Sequence, residues 1–350
     1  MSKIKTFSAV NTKVRAMRAN MLKDEDYIAL MHCSNLEEMI KYLKDKTRYS
    51  LVLNNTNSYT DINLFEIDLM SYSLHELSRL LGYFSGPYRE FLDAFRLYYD
   101  IRIVKSLIRR LLNDGLEAYK QELKSKIKFL SKADINSILD VKNFQEFVQS
   151  LSIKPIKTIL EEVQTREGVD FLFNLEMSLD RFYFYHLREK ALNLDKENKN
   201  IVLDSLDENI DLLNIEWIYR GIVFYKLNPD ELINYTIGYG KEFDFNDIQK
   251  LCYSDIDNFK RIISNSKYYF IVESEHDIEL YMKRRIDRYL FFNFFRRINS
   301  ANFNIDTVLT YLHLLDFEYK DILTIVEATR YNLSFEEKKT YLIRRIGGSE

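Results

Sequence analysis

Glycine and proline are scarce in this sequence, with nine glycines and three prolines in 350 residues. Tight β-hairpin turns and glycine-rich phosphate loops depend on these two residues, so the chain offers few places for either. Hydrophobic residues make up 46% of the chain, which is enough to form folded cores. Together with abundant Leu, Ile, Lys and Glu, this scarcity predicts an all-α protein.

Cysteine is rarer still, since Cys33 and Cys252 are the only two. Two cysteines cannot form a thiolate metal cluster, and small buried apolar positions explain them better than a disulfide does. The five histidines include no pair at the two- to five-residue spacing that would place both on one helix face. Two distant histidines could still meet in the fold, but the sequence itself predicts no metal site.

Neither sign of charge dominates, because the chain has 50 Lys and Arg residues and 53 Asp and Glu residues, with a net charge of −3. Phosphate backbones require a clustered positive surface, so this balance argues against a nucleic-acid partner. Four arginine pairs are dispersed along the chain, most of them expected on solvated helix faces or at helix C-termini and a minority at a partner surface. The pairs are Arg109–Arg110, Arg284–Arg285, Arg296–Arg297 and Arg344–Arg345.

Long hydrophobic runs are missing as well. No window holds 18 uncharged apolar residues, about the length that a membrane-spanning helix needs. The first residues also lack the apolar run of a signal peptide. We therefore expect a cytoplasmic protein that reaches a membrane only through its partners.

Signatures of catalysis and cofactor binding are absent from the sequence. Gly238-Tyr-Gly240 is half of a dinucleotide fingerprint without the third glycine, and we expect a turn there. No glycine-rich loop ends in Lys-Ser/Thr, and no Gly-x-Ser-x-Gly elbow occurs. Glu275-His276-Asp277 resembles an acid–base cluster, but adjacent side chains point apart on a helix. The sequence therefore predicts no catalytic residue and no cofactor.

An aromatic motif occurs twice at a fixed distance. Asp287-Arg288 opens a run of aromatic and aliphatic residues, and Asp180-Arg181 opens a similar run 107 residues earlier. The Asp-Arg pair is expected to fix the orientation of each helix through hydrogen bonds or ion pairs. The matching place in the first part of the chain, at Asp68, lacks the arginine.

An acidic motif occurs three times, beginning at Asp100, Asp211 and Glu318. The last two copies are again 107 residues apart, and two separate matches that share one offset are hard to produce by chance. We therefore predict a chain of three similar helical units in which these residues are repeated structural positions. The units span residues 1–115, 116–227 and 228–350.

Capping signals predict where individual helices begin, because Asn, Ser or Asp followed three residues later by Glu satisfies the first free N–H groups of a helix. Polar stretches at residues 54–61 and 193–200 are predicted to be loops. The predicted starts are Asn35 with Glu38, Ser73 with Glu76, Gly86 with Pro87, Asn228 with Pro229 and Glu231, and Ser334 with Glu337.

The aromatic helices are open to two interpretations. Rings at helical spacing could form a cofactor box or a stacking row for nucleic acid, but such a stripe is more often packed core. We therefore expect these stripes to lie in the core. They are Phe182, Tyr185 and His186 in one copy, and Tyr289, Phe292 and Phe295 in the other.

Three further motifs, together with the three acidic motifs, resemble a known family. Their order along the chain is similar to that in the C subunit of the archaeal and bacterial V-type (A-type) ATPases, the counterpart of the d subunit of the eukaryotic V-ATPase. The motifs are Asn11-x-x-Val14-Arg15-Ala16-Met17, Leu43-x-x-x-Thr47-x-Tyr49 and Glu327-Ala-x-Arg-Tyr-Asn-Leu333.

The resemblance implies a funnel-shaped protein in which three helical units surround a pseudo-threefold axis. It implies a non-catalytic part of the central stalk on the cytoplasmic face of the membrane. Its partners would be the D and F subunits of the stalk and the membrane proteolipid ring. Such a protein transmits torque for ATP-driven proton or sodium transport and needs no cofactor of its own.

Two other functions remain open at this point. A helical scaffold or adaptor unrelated to ATPases would also repeat helical units, although units of about 110 residues exceed the roughly 20 to 50 residues of solenoid repeats. An all-α enzyme would need titratable groups that converge in a deep pocket.

Overall fold

The computed structural model describes residues 3–53, 62–113, 138, 141–164, 171–273, 278–298 and 303–347. Within these ranges the protein is all-α, as predicted, and no strand occurs. The first helices are α1 (Lys3–Arg18), α2 (Asp24–His32), α3 (Leu36–Lys46), α4 (Ser50–Leu53), α5 (Ile62–Leu81) and α6 (Gly86–Asn113). The next are α7 (Phe144–Ser150), α8 (Lys154–Gln164), α9 (Phe171–Leu192) and α10 (Lys196–Arg220), which a π-turn at Gly221–Tyr225 follows. The last are α11 (Pro229–Tyr235), α12 (Phe245–Cys252), α13 (Ile256–Ser264), α14 (Ile278–Arg297), α15 (Asp306–Arg330) and α16 (Phe335–Tyr341).

The chain forms two compact units. Residues 1–85 and 284–350 make one, which we call the terminal unit, and residues 86–283 make the other, the central unit. In the terminal unit, α15 packs against α5 and α1. In the central unit, α9 packs against α6 and α10. These two units are defined by contacts in space, whereas the three predicted units are defined by repeats in the sequence. The three-unit division therefore stays a prediction.

Helix starts follow the capping signals at three of the predicted places. The Asn35 side chain accepts the N–H of Glu38 at 2.9 Å, and the Asn228 side chain accepts the N–H of Glu231 at 2.9 Å. Ser334 and Glu337 form a reciprocal capping box at the start of α16. These three predictions are confirmed, as is the helix that begins at Gly86.

Two predicted features are wrong. Ser73 does not cap a helix, because it is buried in the interior of α5, and most of the other buried residues of that helix are apolar. Residues 193–200 are not a loop throughout, since Asp195 caps α10 and the charged residues after it form the first turn. Lys and Glu are good helix formers, so a charged run fits an exposed helical face as well as it fits a loop. The predicted loop at 54–61 lies outside the described residues.

The predicted aromatic stripes do not lie on the core face. Tyr185 is exposed, and the other five side chains of the two stripes are half-buried. The rings that are buried belong to Tyr183, Phe291 and Phe294. Both helices carry aromatic residues on adjacent faces, so aromatic character alone could not identify the buried face.

No helix in the described part of the chain is long and apolar enough to cross a membrane. Cys252 is buried and Cys33 is half-buried, and both are free thiols. Burial raises the pKa of the Cys252 thiol to about 12, so this thiol is inert near neutral pH.

Candidate functional site: buried carboxyls that hold loops to long helices

Glu318 lies in the middle of α15 and is buried. Its carboxylate accepts the backbone N–H of Leu22 at 2.7 Å and the hydroxyl of Tyr49 at 3.1 Å. Both donors lie in connections between the first helices of the chain, 296 and 269 residues earlier in sequence. Glu318 therefore ties the last long helix to the beginning of the chain.

Asp321 lies one turn further along α15 and holds the chain that follows α16. Its carboxylate accepts the N–H of Ile343 at 2.6 Å and the N–H of Arg344 at 3.3 Å. The Arg344 side chain donates to the carbonyl of Leu22 at 3.3 Å and lies 4.1 Å from the centre of the Tyr27 ring. One arginine thus links the end of the chain to the same segment that Glu318 holds.

The two carboxyls of α15 are strongly perturbed. Burial raises the pKa of Glu318 to about 7 and that of Asp321 to about 7, although the hydrogen bonds and Arg344 oppose this rise. Burial also raises the pKa of Tyr49, and the neighbouring Glu318 raises it further. Desolvation disfavours the charged form of each group, so the site is most stable when these carboxyls are protonated.

Asp211 of α10 occupies a comparable place in the central unit. It is fully buried and accepts three successive backbone N–H groups, from Lys241 at 3.0 Å, Glu242 at 2.7 Å and Phe243 at 3.3 Å. The hydroxyl of Tyr268 donates to it at 2.7 Å. Burial raises the pKa of Asp211, and the four hydrogen bonds oppose this rise.

Gly240 allows the loop to approach Asp211 this closely. A Cβ atom at this position would lie 2.2 Å from Asp211 Oδ1 and 2.5 Å from the carbonyl oxygen of Phe243. Both distances are far below van der Waals contact. Gly238-Tyr-Gly240, predicted as a turn, is thus part of a loop wrapped around a buried carboxylate.

In the Asp211 and Glu318 copies of the acidic motif, the polar residue three positions further on also holds a loop. Asn214 exchanges two hydrogen bonds of 2.9 Å with the backbone of Ile237, which lies 23 residues further along the chain. Asp321, three residues after Glu318 as Asn214 is after Asp211, accepts N–H groups 22 and 23 residues further along. The two copies of the acidic motif therefore make the same kind of contact in the two compact units.

The tyrosines that donate to these carboxylates are themselves held alike. The backbone N–H of Tyr49 donates to Thr47 Oγ1 at 3.2 Å, and that of Tyr268 donates to Ser266 Oγ at 3.1 Å. Each tyrosine follows a helix that a polar side chain caps, Asn35 for α3 and Asp255 for α13. The donors therefore resemble each other as closely as the acceptors do.

The Asp-Arg pairs of the aromatic helices fasten neighbouring segments. Asp180 accepts a hydrogen bond from Lys105 Nζ at 2.5 Å, and Asp287 lies 3.5 Å from Lys320 Nζ. Arg181 donates to the carbonyl of Asn234. Arg288 donates to the carbonyls of Thr340, at 3.1 Å, and of Leu342, at 2.6 and 2.9 Å. Asp100, the third acidic position, is buried within α6.

The arginine pairs match the expectation in part. Arg110 lies in the last turn of α6 and Arg297 in the last turn of α14, as expected for helix C-termini, but some of the side chains are less solvated than expected. Arg110 is buried and Arg344 is half-buried. Arg109 forms an ion pair with Glu176 at 2.6 Å, and Arg297 forms one with Asp306 at 2.9 Å. Long arginine side chains can cover apolar surface while their guanidinium groups reach a partner, so pairs of arginines in sequence do not by themselves mark an exposed face.

The chemistry of the site is structural. Within the described ranges, no group of three or more His, Cys, Asp and Glu side chains is arranged to hold a metal ion. The oxygen atoms of the buried carboxylates accept hydrogen bonds from backbone N–H groups and tyrosine hydroxyls. Such a group holds a loop at a fixed position on a helix.

Sequence reasoning found the acidic positions but missed their partners. Tyr49, Tyr268 and Gly240 were not predicted to contact Glu318 or Asp211. A usable signal was present, because Tyr49 follows Thr47 by two residues and Tyr268 follows Ser266 by two residues. That spacing shows a shared local structure, but it does not reveal which carboxylate the tyrosine reaches.

The chain is similar in sequence to known proteins. The profile of a family described as ATP synthase (C/AC39) subunit matches residues 10–341. The C subunit of the A-type ATP synthase of Methanococcoides burtonii is 21% identical over 287 residues, which cover 81% of this chain and 78% of that protein. The C subunit of the A-type ATP synthase of Archaeoglobus fulgidus is 20% identical over 333 residues, which cover 95% of this chain and 94% of that protein.

Proposed function

Because the chain belongs to the ATP synthase (C/AC39) subunit family, whose members are accessory rather than catalytic subunits, we propose that it is the central-stalk socket of an A-type ATPase. In this role it joins the D and F subunits of the stalk to the membrane proteolipid ring. It turns with the ring and transmits torque between ATP hydrolysis and the transport of protons or sodium ions. The protein lies on the cytoplasmic face of the membrane and is held there by its partners.

One observation carries the proposal. A buried carboxylate that accepts a tyrosine hydroxyl occurs twice in the chain, and we call this contact the joint. Asp211 lies in the second predicted sequence unit and binds Tyr268 of the third. Glu318 lies in the third unit and binds Tyr49 of the first. The joint that links the second unit to the third is thus used again to link the end of the chain to its beginning.

Units joined head to tail by one kind of contact close into a ring when each step turns by the same fraction of a circle. Three units, at residues 1–115, 116–227 and 228–350, would give the pseudo-threefold funnel that the family resemblance implies. A closed ring with an axial opening suits a part that couples two coaxial rotating bodies. In this arrangement Asp211 and Glu318 are the repeated acceptors, and Asp100 is the matching position of the first unit. Asp180–Arg181 and Asp287–Arg288 fix the aromatic helices.

The joint also suits the transmission of torque. The buried carboxylates fasten their loops to α10 and α15, each of which has 25 residues. Opening either joint would leave buried N–H groups without an acceptor, which costs about 1 to 3 kcal/mol for each group. Such a ring resists twisting more than apolar contacts alone would.

Family membership excludes an adaptor unrelated to ATPases. The third function, an all-α enzyme, has no supporting observation in the described residues, where the buried carboxylates are occupied by hydrogen bonds.

Co-purification tests the proposed place in the complex. The affinity-tagged full chain, extracted from native membranes in mild detergent and treated with a short crosslinker, is expected to carry the D and F subunits and the proteolipid. Mass spectrometry should find crosslinks from this chain to the stalk and to the ring. Crosslinks confined to the stationary parts of the complex would contradict a place in the rotor.

A further inference from the structure

Two arginines of α14 converge on one backbone carbonyl in the terminal unit. Arg284 and Arg288 are one turn apart, and both guanidinium groups donate to the carbonyl of Thr340, Arg288 at 3.1 Å. Arg288 also donates through Nε and Nη2 to the carbonyl of Leu342, at 2.9 and 2.6 Å. A shared acceptor places two positive charges side by side.

A third arginine extends the group along the same side of α14. The guanidinium carbon of Arg345 lies 5.4 Å from the centre of the Phe292 ring, and Phe292 is one turn beyond Arg288. Arg345 is exposed and Arg288 is half-buried. The three side chains therefore run from a recessed position to the surface; we call them the arginine cluster.

The cluster holds like charges together. Burial lowers the pKa of Arg288, and the positive charges of Arg284 and Arg345 add to this effect, so that the pKa falls to about 10. Among the described residues, neither Arg288 nor Arg345 forms an ion pair with a carboxylate. The nearby Asp321 opposes this lowering of the Arg288 pKa, but the oxygens of that carboxylate accept the N–H groups of Ile343 and Arg344.

The corresponding place in the central unit has only one of these arginines. Arg181 matches Arg288 at the 107-residue offset and donates to the carbonyl of Asn234. At the same offset, Met177 stands in place of Arg284 and Gly238 in place of Arg345. The central unit thus makes the corresponding backbone contact with one arginine, whereas the terminal unit has two further positive charges beside it.

We propose that Arg284, Arg288 and Arg345 form a binding site for a phosphoryl group. Arg288 commits its Nε and Nη2 edge to the Leu342 carbonyl, so it cannot offer that edge as a two-pronged fork to a planar carboxylate. Three neighbouring guanidinium groups together offer more N–H donors than one carboxylate can accept, which suits a tetrahedral anion with three or more oxygens. A dianion also offsets the crowded charge better than a single carboxylate does.

Calorimetric titration of the full chain with inorganic phosphate tests the proposal, with chloride at equal ionic strength as the reference. We expect saturable binding to the wild type. Arg284→Met, which installs the residue of the matched position, and Arg345→Gln should each weaken binding, and together they should weaken it by about tenfold or more. Arg330→Gln, at an exposed arginine of the same compact unit, should leave phosphate binding unchanged.

A second arm distinguishes the source of the phosphoryl group. Sedimentation with phosphatidylcholine vesicles, with and without phosphatidic acid, is measured for the same variants. Arginine-dependent binding to phosphatidic acid identifies a lipid headgroup, whereas phosphate binding without vesicle binding identifies a soluble phosphate compound. Both results support the site.

Three outcomes overturn the proposal. They are no phosphate binding by the wild type, equal binding by the double variant, and arginine-dependent binding of acetate without binding of phosphate. Arg345→Gln alone keeps the test decisive if Arg284→Met impairs folding, since Arg345 is exposed.

Discussion

Glu318 shows what a buried carboxyl contributes at the scale of a single residue. It accepts the N–H of Leu22 and the hydroxyl of Tyr49, yet burial raises its pKa from 4.5 to about 7. The folded state therefore binds a proton more tightly than the unfolded state. The stabilising contribution of this group is complete below its unfolded pKa and is lost as the pH rises through about 7.

We predict that Glu318→Gln flattens the pH dependence of stability. Between pH 4.5 and 7.5 the free energy of unfolding of the wild type should fall by about 1 to 3 kcal/mol more than that of the variant. Urea denaturation at several pH values measures the difference. Glu327→Gln, at a half-buried position on the same helix, is the control and should keep the wild-type slope. A Glu318→Gln slope as steep as that of the control would contradict the assignment.

A second prediction concerns the tyrosines that donate to the buried carboxylates. Tyr49→Phe and Tyr268→Phe keep the rings but remove the hydrogen bonds to Glu318 and Asp211. Each change should lower the free energy of unfolding by about 1 to 3 kcal/mol, because a buried acceptor loses its donor. Tyr331→Phe, at a side chain that is 76% exposed, should have almost no effect. Equal denaturation midpoints for Tyr49→Phe and Tyr331→Phe would show that the hydroxyl contributes nothing.

At the scale of an element, the loop around Asp211 depends on how closely its backbone approaches the Asp211 carboxylate. Gly240 has no room for a Cβ atom next to Asp211, whereas a Cβ at Gly238 would lie 3.9 Å from the Tyr185 hydroxyl and 4.0 Å from Phe245. Gly240→Ala should therefore destabilise the protein by about 1 to 3 kcal/mol through overpacking, and Gly238→Ala should be tolerated. Thermal unfolding of the two variants compares them directly, and equal melting temperatures would rule out the close approach.

Much of the element structure could be predicted from the sequence because caps act locally. Asn35, Asn228 and Ser334 satisfy N–H groups three residues away, so local sequence is sufficient to place those helix starts. Ser73 has the same local pattern, but the buried surface of α5 outweighs it. Capping signals therefore predict a helix start only where the preceding residues are not themselves part of a helix.

Only the acceptors of the site could be predicted from the sequence, and their donors could not. Repetition marked Asp211 and Glu318 as shared positions, because a repeat is visible within one sequence. Their donors Tyr49 and Leu22 are separated from Glu318 by 269 and 296 residues, and no local pattern encodes such a contact. The wrong aromatic face has a related cause, since the choice between adjacent helical faces is made by tertiary packing.

At the scale of the whole molecule, a contact that recurs between successive sequence units gives the family its mechanical sense. Asp211 binds Tyr268 within the central unit, and Glu318 binds Tyr49 within the terminal unit. In the proposed three-unit arrangement, the first contact joins the second sequence unit to the third and the other joins the third to the first, which is the connectivity of a ring. The proposed function then lies in what such a ring would join rather than in any one side chain.

ATP-driven ion transport in reconstituted vesicles tests the central claim most directly. ATPase complexes assembled without this chain should still hydrolyse ATP in the soluble head but should not acidify the vesicles or accumulate sodium, and adding the purified chain back should restore transport. Transport that continues at the wild-type rate in the absence of the chain would contradict its role as the part that couples stalk to ring.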